Sequence, residues 1–199
     1  MLIPEERRAP THLLIGRLLV ARAPPEKREQ AIFEIVNQLN RGAALIASPD
    51  EREQLAEFNL IAGKRAKAAT AYAAALQHFS AGRGLLGQNG WELSYRLTFD
   101  LELNWAECEY LTGNLASAEE RLSTLSVRAL TILDSASVTC ARLNLYTHLD
   151  QSDSAVAVGL DYLRRFDRQR QRKTSIEIMI TCGAFLMVVR SKRCSICRQ

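Results

Sequence analysis

Apolar residues return every three or four positions along almost the whole chain, and that spacing confines it to packed α-helices. Between Pro4 and Arg22, Leu13, Leu14, Leu18 and Leu19 fall on one face. Pro24-Pro25 interrupts the pattern, and Pro suits the first turn of the next helix. From Glu26 to Ile46, the positions Ile32, Ile35, Val36, Leu39, Ala43 and Ile46 step at helical intervals. Ser48-Pro49-Asp50-Glu51 then predicts a helix start, with Ser as N-cap, Pro at the first helical position and Glu three residues on to complete a capping box. Further stripes run through Tyr72, Ala75, Leu76, Phe79 and Leu86, then, after a turn at Gly87–Gly90, through Leu115, Ala118, Leu122, Leu125 and Ala129. Ala136, Cys140, Leu143 and Tyr146 make the next, and Val156, Gly159, Leu160 and Leu163 the last.

One stretch breaks the rule. Every odd position from Trp91 to Trp105 is apolar, and strict alternation ordinarily argues for a strand. The run is far longer than a usual strand of about 5–6 residues. It also continues into Ala106-Glu-Cys-Glu-Tyr-Leu111, which favours helix. On a helix the odd positions form two rows on opposite faces, as expected of a helix packed between neighbours on both sides. The reading is therefore helix.

Helix after helix joined by short turns implies helical pairs. Gly63, Tyr72, Ala75, Phe79 and Gly82 match the tetratricopeptide pattern of small and large residues. Ala106, Gly113, Ala118 and Leu122 repeat part of it, and Leu143, Ala155 and Gly159 repeat it weakly. The repeat is irregular: 43 residues separate Ala75 from Ala118 and 37 separate Ala118 from Ala155, against the regular repeat of about 34. The expected fold is all-α, a right-handed superhelix of antiparallel helix pairs built from degenerate tetratricopeptide-like repeats. Trp105, Tyr110, Tyr72, Phe79, Leu97, Leu101 and Leu122 are the expected core.

Charge is unevenly placed. The last 36 residues, from Arg164, carry ten basic and two acidic residues, which leaves 16 basic and 20 acidic over the first 163. The whole-chain pI of 8.9 therefore describes a short run and not a folded basic face. That run, Arg164 to Lys173, lacks the interleaved aromatics of a base-stacking surface, so no nucleic-acid partner is expected. The five cysteines are an odd count, and Cys108 and Cys140 fall inside helical patterns. With no apolar stretch of about 18 residues and no leader pattern, a cytoplasmic protein with unpaired thiols and no membrane span is expected.

Chemistry-bearing motifs are sparse. Gly82-Arg83-Gly84 and Gly63-Lys64-Arg65 have no preceding strand, so tight helix crossings or helix ends are expected there and not phosphate cradles. His12, His78 and His148 stand apart with no metal-ligand spacing, His12 and His148 reading as surface residues. Cys194-Ser-Ile-Cys197 lacks the second pair a zinc site needs. Glu107/Glu109 and Glu119/Glu120 read as solvated helix faces. No catalytic, cofactor-binding or metal-binding residue is assigned, and the chain is not expected to be an enzyme.

Several runs resemble one region of very large bacterial signalling proteins. They include Leu2-Ile-Pro-Glu-Glu-Arg-Arg-Ala9, His12-Leu-Leu-Ile-Gly-Arg-Leu-Leu19 and Ile32-Phe-Glu-Ile-Val-Asn-Gln-Leu-Asn-Arg-Gly-Ala-Ala-Leu-Ile46. Glu51-Arg-Glu-Gln-Leu-Ala-Glu57, Asn59-Leu-Ile-Ala-Gly-Lys-Arg-Ala-Lys67, Ala71-Tyr72, Ala106-Glu-Cys-Glu-Tyr-Leu-Thr-Gly113 and Ala118-Glu-Glu-Arg-Leu122 extend the resemblance. These trifunctional proteins combine a serine/threonine kinase-like domain, a STAND-type AAA ATPase, a helical-repeat region, a GAF domain and a sensor histidine kinase.

The resemblance covers about residues 2–166. It implies that residues 1–47 are the helical end of an ATPase-type module and 48–166 are tetratricopeptide-like repeats, with the kinase and Walker motifs outside the chain. The implied function is a sensor and interaction segment that relays ligand or partner binding to neighbouring ATPase and kinase domains. A stand-alone scaffold or adaptor is the alternative. Residues 167–199 do not follow the resemblance and are expected to be a poorly packed basic and apolar tail, of the kind a frameshift or truncation leaves. The expected partners are proteins, with self-association through an uncapped repeat end.

Overall fold

The computed structural model describes residues 4–168, and every regular element among them is helical. The chain divides into two compact units, 1–129 and 130–199. Cys182, Ile176–Val189, Cys194–Cys197 and nearly all of the expected tail lie outside the described residues.

The first unit opens with α1 (Glu5–Arg22), the single turn α2 (Pro25–Arg28) and α3 (Ile32–Arg41). α1 packs on α3 along one narrow line. Gly16 lies under the Leu39 side chain, and a methyl added at Gly42 would stand 2.7 Å from Leu13 Cβ. The approach is so close that α3 covers only one row of α1. Leu13 is buried, whereas Leu14 and Leu18, placed by the sequence on the same apolar face, are 58% and 47% exposed.

α4 (Pro49–Ala68) starts where the capping signal placed it, but the box is half-made. Ser48 Oγ accepts from the Glu51 amide at 3.5 Å. The Glu51 carboxylate turns instead to Arg17, which donates to it from Nε at 2.7 Å and from Nη2 at 2.8 Å. A guanidinium fork offers two charge-assisted bonds where the N-cap amide offers one.

α4 is buried on two sides. Leu55, Phe58 and Ala62 share a core with Leu13, Ile32, Ile35, Val36, Leu39 and Ile46. Ala56 and Ala66 join Ala75 and Phe79 of α5 (Tyr72–Leu86) and Leu97, Leu101 and Cys108 of α7 (Tyr95–Leu111). A single core thus runs from Leu13 and Ile46 into the helix that follows residue 48.

The alternating stretch is helical, with one break. A short α6 (Gly90–Leu93) ends at Ser94, whose φ of −136° and ψ of 55° are not helical, and α7 begins at the next residue. Thr98 Oγ1 donates to the Gly90 carbonyl at 2.8 Å and fixes the corner. The two apolar rows are therefore buried only in the middle: Leu97, Phe99 and Leu101 are buried, while Leu93, beyond the corner, is 81% exposed.

Of the expected core, Phe79, Leu97, Leu101 and Leu122 are buried, but Tyr72, Trp105 and Tyr110 are only half-buried. Over Trp105 lies the Arg121 guanidinium, 3.9 Å from the ring centre, so a cation covers the ring face. α8 (Leu115–Arg128) completes the unit and buries Ala118, Leu122 and Leu125 against α7, as its stripe predicts.

The second unit contains α9 (Ile132–His148) and a helix α10 over 152–168. Thr131 and Asp134 form a complete capping box at the start of α9. Its buried row is Asp134, Val138, Ala141, Leu145 and Tyr146, and Cys140 of the expected row is exposed. Both rows satisfy the helical period, so spacing alone could not choose between them. On α10, Val156, Leu160 and Leu163 of the expected stripe are 60%, 46% and 55% exposed.

Three helical hairpins share one turn. After α4, α7 and α9 the chain enters the left-handed region at a single residue: Thr70 (φ 58°), Gly113 (φ 87°) and Asp150 (φ 56°). In each case the next amide bonds back five residues, from Ala71 to Ala66, Asn114 to Glu109 and Gln151 to Tyr146, at 2.8–2.9 Å. This is the Schellman closure, which satisfies carbonyls orphaned at a helix end. Thr70, Gly113 and Asp150 are spaced by 43 and 37 residues, the same intervals that separate Ala75, Ala118 and Ala155.

Those intervals also relate the crossings. Gly63 on α4 meets the Phe79 ring on α5, and no Cβ fits between them. The corresponding residues of α7 and α8 are Ala106 and Leu122, both at 0% exposure. On α9 and α10 they are Leu143 and Gly159, where a methyl added at Gly159 would touch Leu143 Cδ2 at 3.8 Å. As the first-helix residue grows from Gly to Ala to Leu, its partner shrinks from Phe to Leu to Gly, which keeps the shared volume filled.

Candidate functional site

α7 carries two polar stripes because helical spacing sends its acidic residues to two sides. Asp100, Asn104 and Glu107 face α4, and Glu102, Trp105 and Glu109 face α8. On the α4 side, Lys67 Nζ donates to Asn104 Oδ1 at 2.6 Å and also reaches Glu107, while Lys64 lies 3.7 Å from Asp100. On the α8 side, Arg121 donates to both oxygens of Glu109, from Nε at 3.0 Å and from Nη2 at 3.1 Å. Its remaining nitrogen reaches Glu102, whose other oxygen accepts from Arg83 Nε of α5 at 2.8 Å. Burial works against the Arg121 charge, and Glu109 and Glu102 more than offset it, raising its pKa. One guanidinium thereby ties together α7 and α8 and, through Glu102, α5.

The same positions in the preceding hairpin carry a neutral joint. Asn59, 43 residues before Glu102, is fully buried. It exchanges two 2.9 Å amide bonds with Asn40 and donates a third to the Leu55 carbonyl, also at 2.9 Å. His78, 43 residues before Arg121, approaches Asn59 Oδ1 at 3.4 Å and stacks obliquely on Phe33. Burial lowers the His78 pKa.

A groove of about 560 Å³ opens between α4 and α7. Its floor is Leu60, Ile61 and Leu97, with Leu93 and Tyr95 at one end. Glu53 and Glu57, both exposed, stand one turn apart along the α4 wall, and Arg96 and Asp100 line the α7 wall. Asp100 is neutralised by Arg96 at 2.5 Å and by Lys64. Ser94 Oγ donates to Glu53, and neither Glu53 nor Glu57 has a cationic partner among the described residues. A smaller cleft of about 330 Å³ beside α8 is lined by Trp91, Glu102, Arg121 and Arg128, with the Arg128 guanidinium 4.8 Å from the Trp91 ring centre.

Residues singled out in the sequence disperse. Gly63 and Gly82 lie at close crossings, a methyl at Gly82 falling 2.9 Å from Leu101 Cδ2. His12 is half-buried, bonded to Gln38 Oε1 at 2.6 Å, and not a free surface residue. His148 is exposed on α9. Glu119 and Glu120 are exposed as expected, but Glu109 is buried, because its fork to Arg121 replaces its hydration. Cys108 is buried and its thiol is pushed up to about 11 by burial. Among the described residues no group of three His, Cys, Asp or Glu could hold a metal ion, and no helix is long and apolar enough to cross a membrane. The Glu102–Glu109–Arg121 network was missed; the 43-residue interval, carried through every position of the hairpin, would have aligned it with Asn59 and His78.

No family model matches the chain, and no solved structure matches it. A curated relative is hybrid signal transduction histidine kinase G of Dictyostelium discoideum, 30% identical over 143 residues. The alignment takes in 67% of this chain and 4% of that protein, so the chain corresponds to a small part of the relative's length.

Proposed function

We propose that the chain is a helical-repeat interaction segment of a signalling protein. Residues 48–166 make degenerate tetratricopeptide-like repeats, wound as a right-handed superhelix, and residues 1–47 are the helical end of an ATPase-type module. The observation that carries this reading is the common hairpin: one turn geometry, one small residue five positions on, and one compensated crossing, at intervals of 43 and 37 residues. Similarity to part of a signal transduction histidine kinase supports the signalling context.

In this reading the work is mechanical and no catalytic step belongs to the chain. Stacked hairpins present an extended inner face lined by their first helices, here α4 and α7. A partner bound there biases neighbouring ATPase and kinase domains only if it binds one of their states better than the other. The test is a binding titration of the full chain against separately produced STAND-type ATPase and kinase domains of a trifunctional protein of the resembled family. Saturable complex formation that changes ATP hydrolysis or phosphorylation is expected. Absence of a complex with either domain contradicts the relay and leaves a stand-alone adaptor.

A further inference from the structure

The carboxylates of α4 and α7 are not treated alike. All four on α7 meet a basic side chain: Asp100 meets Arg96 and Lys64, Glu102 meets Arg83 and Arg121, Glu107 meets Lys67, and Glu109 meets Arg121. On α4, Glu51 meets Arg17. Asp50, Glu53 and Glu57 meet no cation among the described residues; Asp50 lies in the first turn, where the helix dipole favours a carboxylate, whereas Glu53 and Glu57 sit at i and i+4, where like charges repel and destabilise the helix. Both stand on the wall of the 560 Å³ groove. The groove also holds the most exposed large apolar residue of α4, α6 and α7, Leu93, which the corner at Ser94 turns outward beside Leu60, Ile61 and Leu97. Two unneutralised carboxylates beside an apolar floor match a cationic side chain adjacent to an apolar one.

We propose that this groove docks an extended segment of a partner protein in which Lys or Arg alternates with Leu-type residues. The basic side chain sits between Glu53 and Glu57, and the apolar one sits on Leu93, Leu97 and Leu60. The inference rests on the repeat reading only in taking α4 and α7 as inner-face helices, and it names the chemistry of what that face receives.

The probe is a fluorescein-labelled peptide alternating Lys and Leu, titrated into the full chain and read by anisotropy, with a peptide alternating Glu and Leu as its counterpart. The cationic peptide should bind saturably and the anionic one should not. E53Q/E57Q should weaken binding by about tenfold, the loss of charge-assisted hydrogen bonds, and L93N should weaken it severalfold. E5Q/E6Q, which removes the same charge from exposed positions on α1, should leave binding unchanged. Equal weakening by E5Q/E6Q reduces the effect to net charge and overturns the proposal, as does binding of the anionic peptide or no saturable binding of the cationic one. All five positions are exposed, and unchanged helical circular dichroism shows that each variant folds. Peptide binding without any complex with ATPase or kinase domains removes the relay and leaves the groove; a complex without peptide binding removes the groove assignment alone.

Discussion

The hairpins α4–α5 and α7–α8 solve one packing problem with different chemistry. At the crossing, the first places Gly63 against Phe79, and the second has Ala106 and Leu122 at the same places. One turn away, the first holds a neutral joint of Asn59 and His78, and the second holds Glu102 and Arg121. The apolar substitutions compensate in volume. The polar substitutions change the class of interaction, from amide bonds sensitive to one titrating ring to an ionic fork. The backbone geometry is held by the turn and the small residues, so the polar position is free to vary provided both partners vary together.

The ionic joint should be the most costly to break. Arg121→Ala leaves Glu109 and Glu102 without their shared cation and should destabilise the first unit by about 3–5 kcal/mol. Lys67→Ala removes a partly solvated pair on the opposite side of the same helix and should cost about 1 kcal/mol or less. Chemical denaturation of both variants checks the contrast; equal costs would mean that the α8 side is no more desolvated than the α4 side.

Trp105→Ala falls between them, at about 1–3 kcal/mol, because the indole is half-buried beneath Arg121 and contributes less than a full core aromatic. A larger loss would place the ring in the core, as the sequence suggested.

The neutral joint should reveal itself through pH. Burial holds the His78 pKa below its ordinary 6.5. The unfolded chain therefore binds a proton more readily, and stability falls as pH drops below about 6.5 until the folded-state value is passed. His78→Gln should flatten the melting temperature across that interval, whereas no change in slope would show that the ring is solvated.

The turns give the smallest effects, of opposite sign. Thr70→Gly relieves a left-handed residue and should stabilise by up to about 1 kcal/mol, and Gly113→Ala should destabilise by about 1 kcal/mol.

The helices were legible in the sequence because apolar spacing survives any choice of neighbour. Trp91–Trp105 was assigned correctly on length and on the helical run that follows it, but the corner at Ser94 was not foreseen. It depends on Thr98 reaching back to Gly90, a contact that no periodicity encodes. Which row is buried was legible on α3 and α8, where one row is apolar, and illegible on α1 and α9, where two compete. At Gly63 and Gly82 the sequence left a close crossing or a helix end open, and both lie at crossings. The groove was not legible, since it arises from two helices 40 residues apart and from the absence of a cation beside Glu53 and Glu57.

A double-mutant cycle at the first crossing tests the common hairpin most directly. Gly63→Ala alone drives a methyl into the Phe79 ring, and Phe79→Leu alone opens a void; each should cost about 1–3 kcal/mol. Together they recreate the Ala/Leu pair of the second hairpin. If the two positions share one volume, the double variant recovers at least about 1 kcal/mol relative to the sum of the single losses. Costs that simply add, within about 0.5 kcal/mol, would show that the residues do not share a site and would contradict the common hairpin.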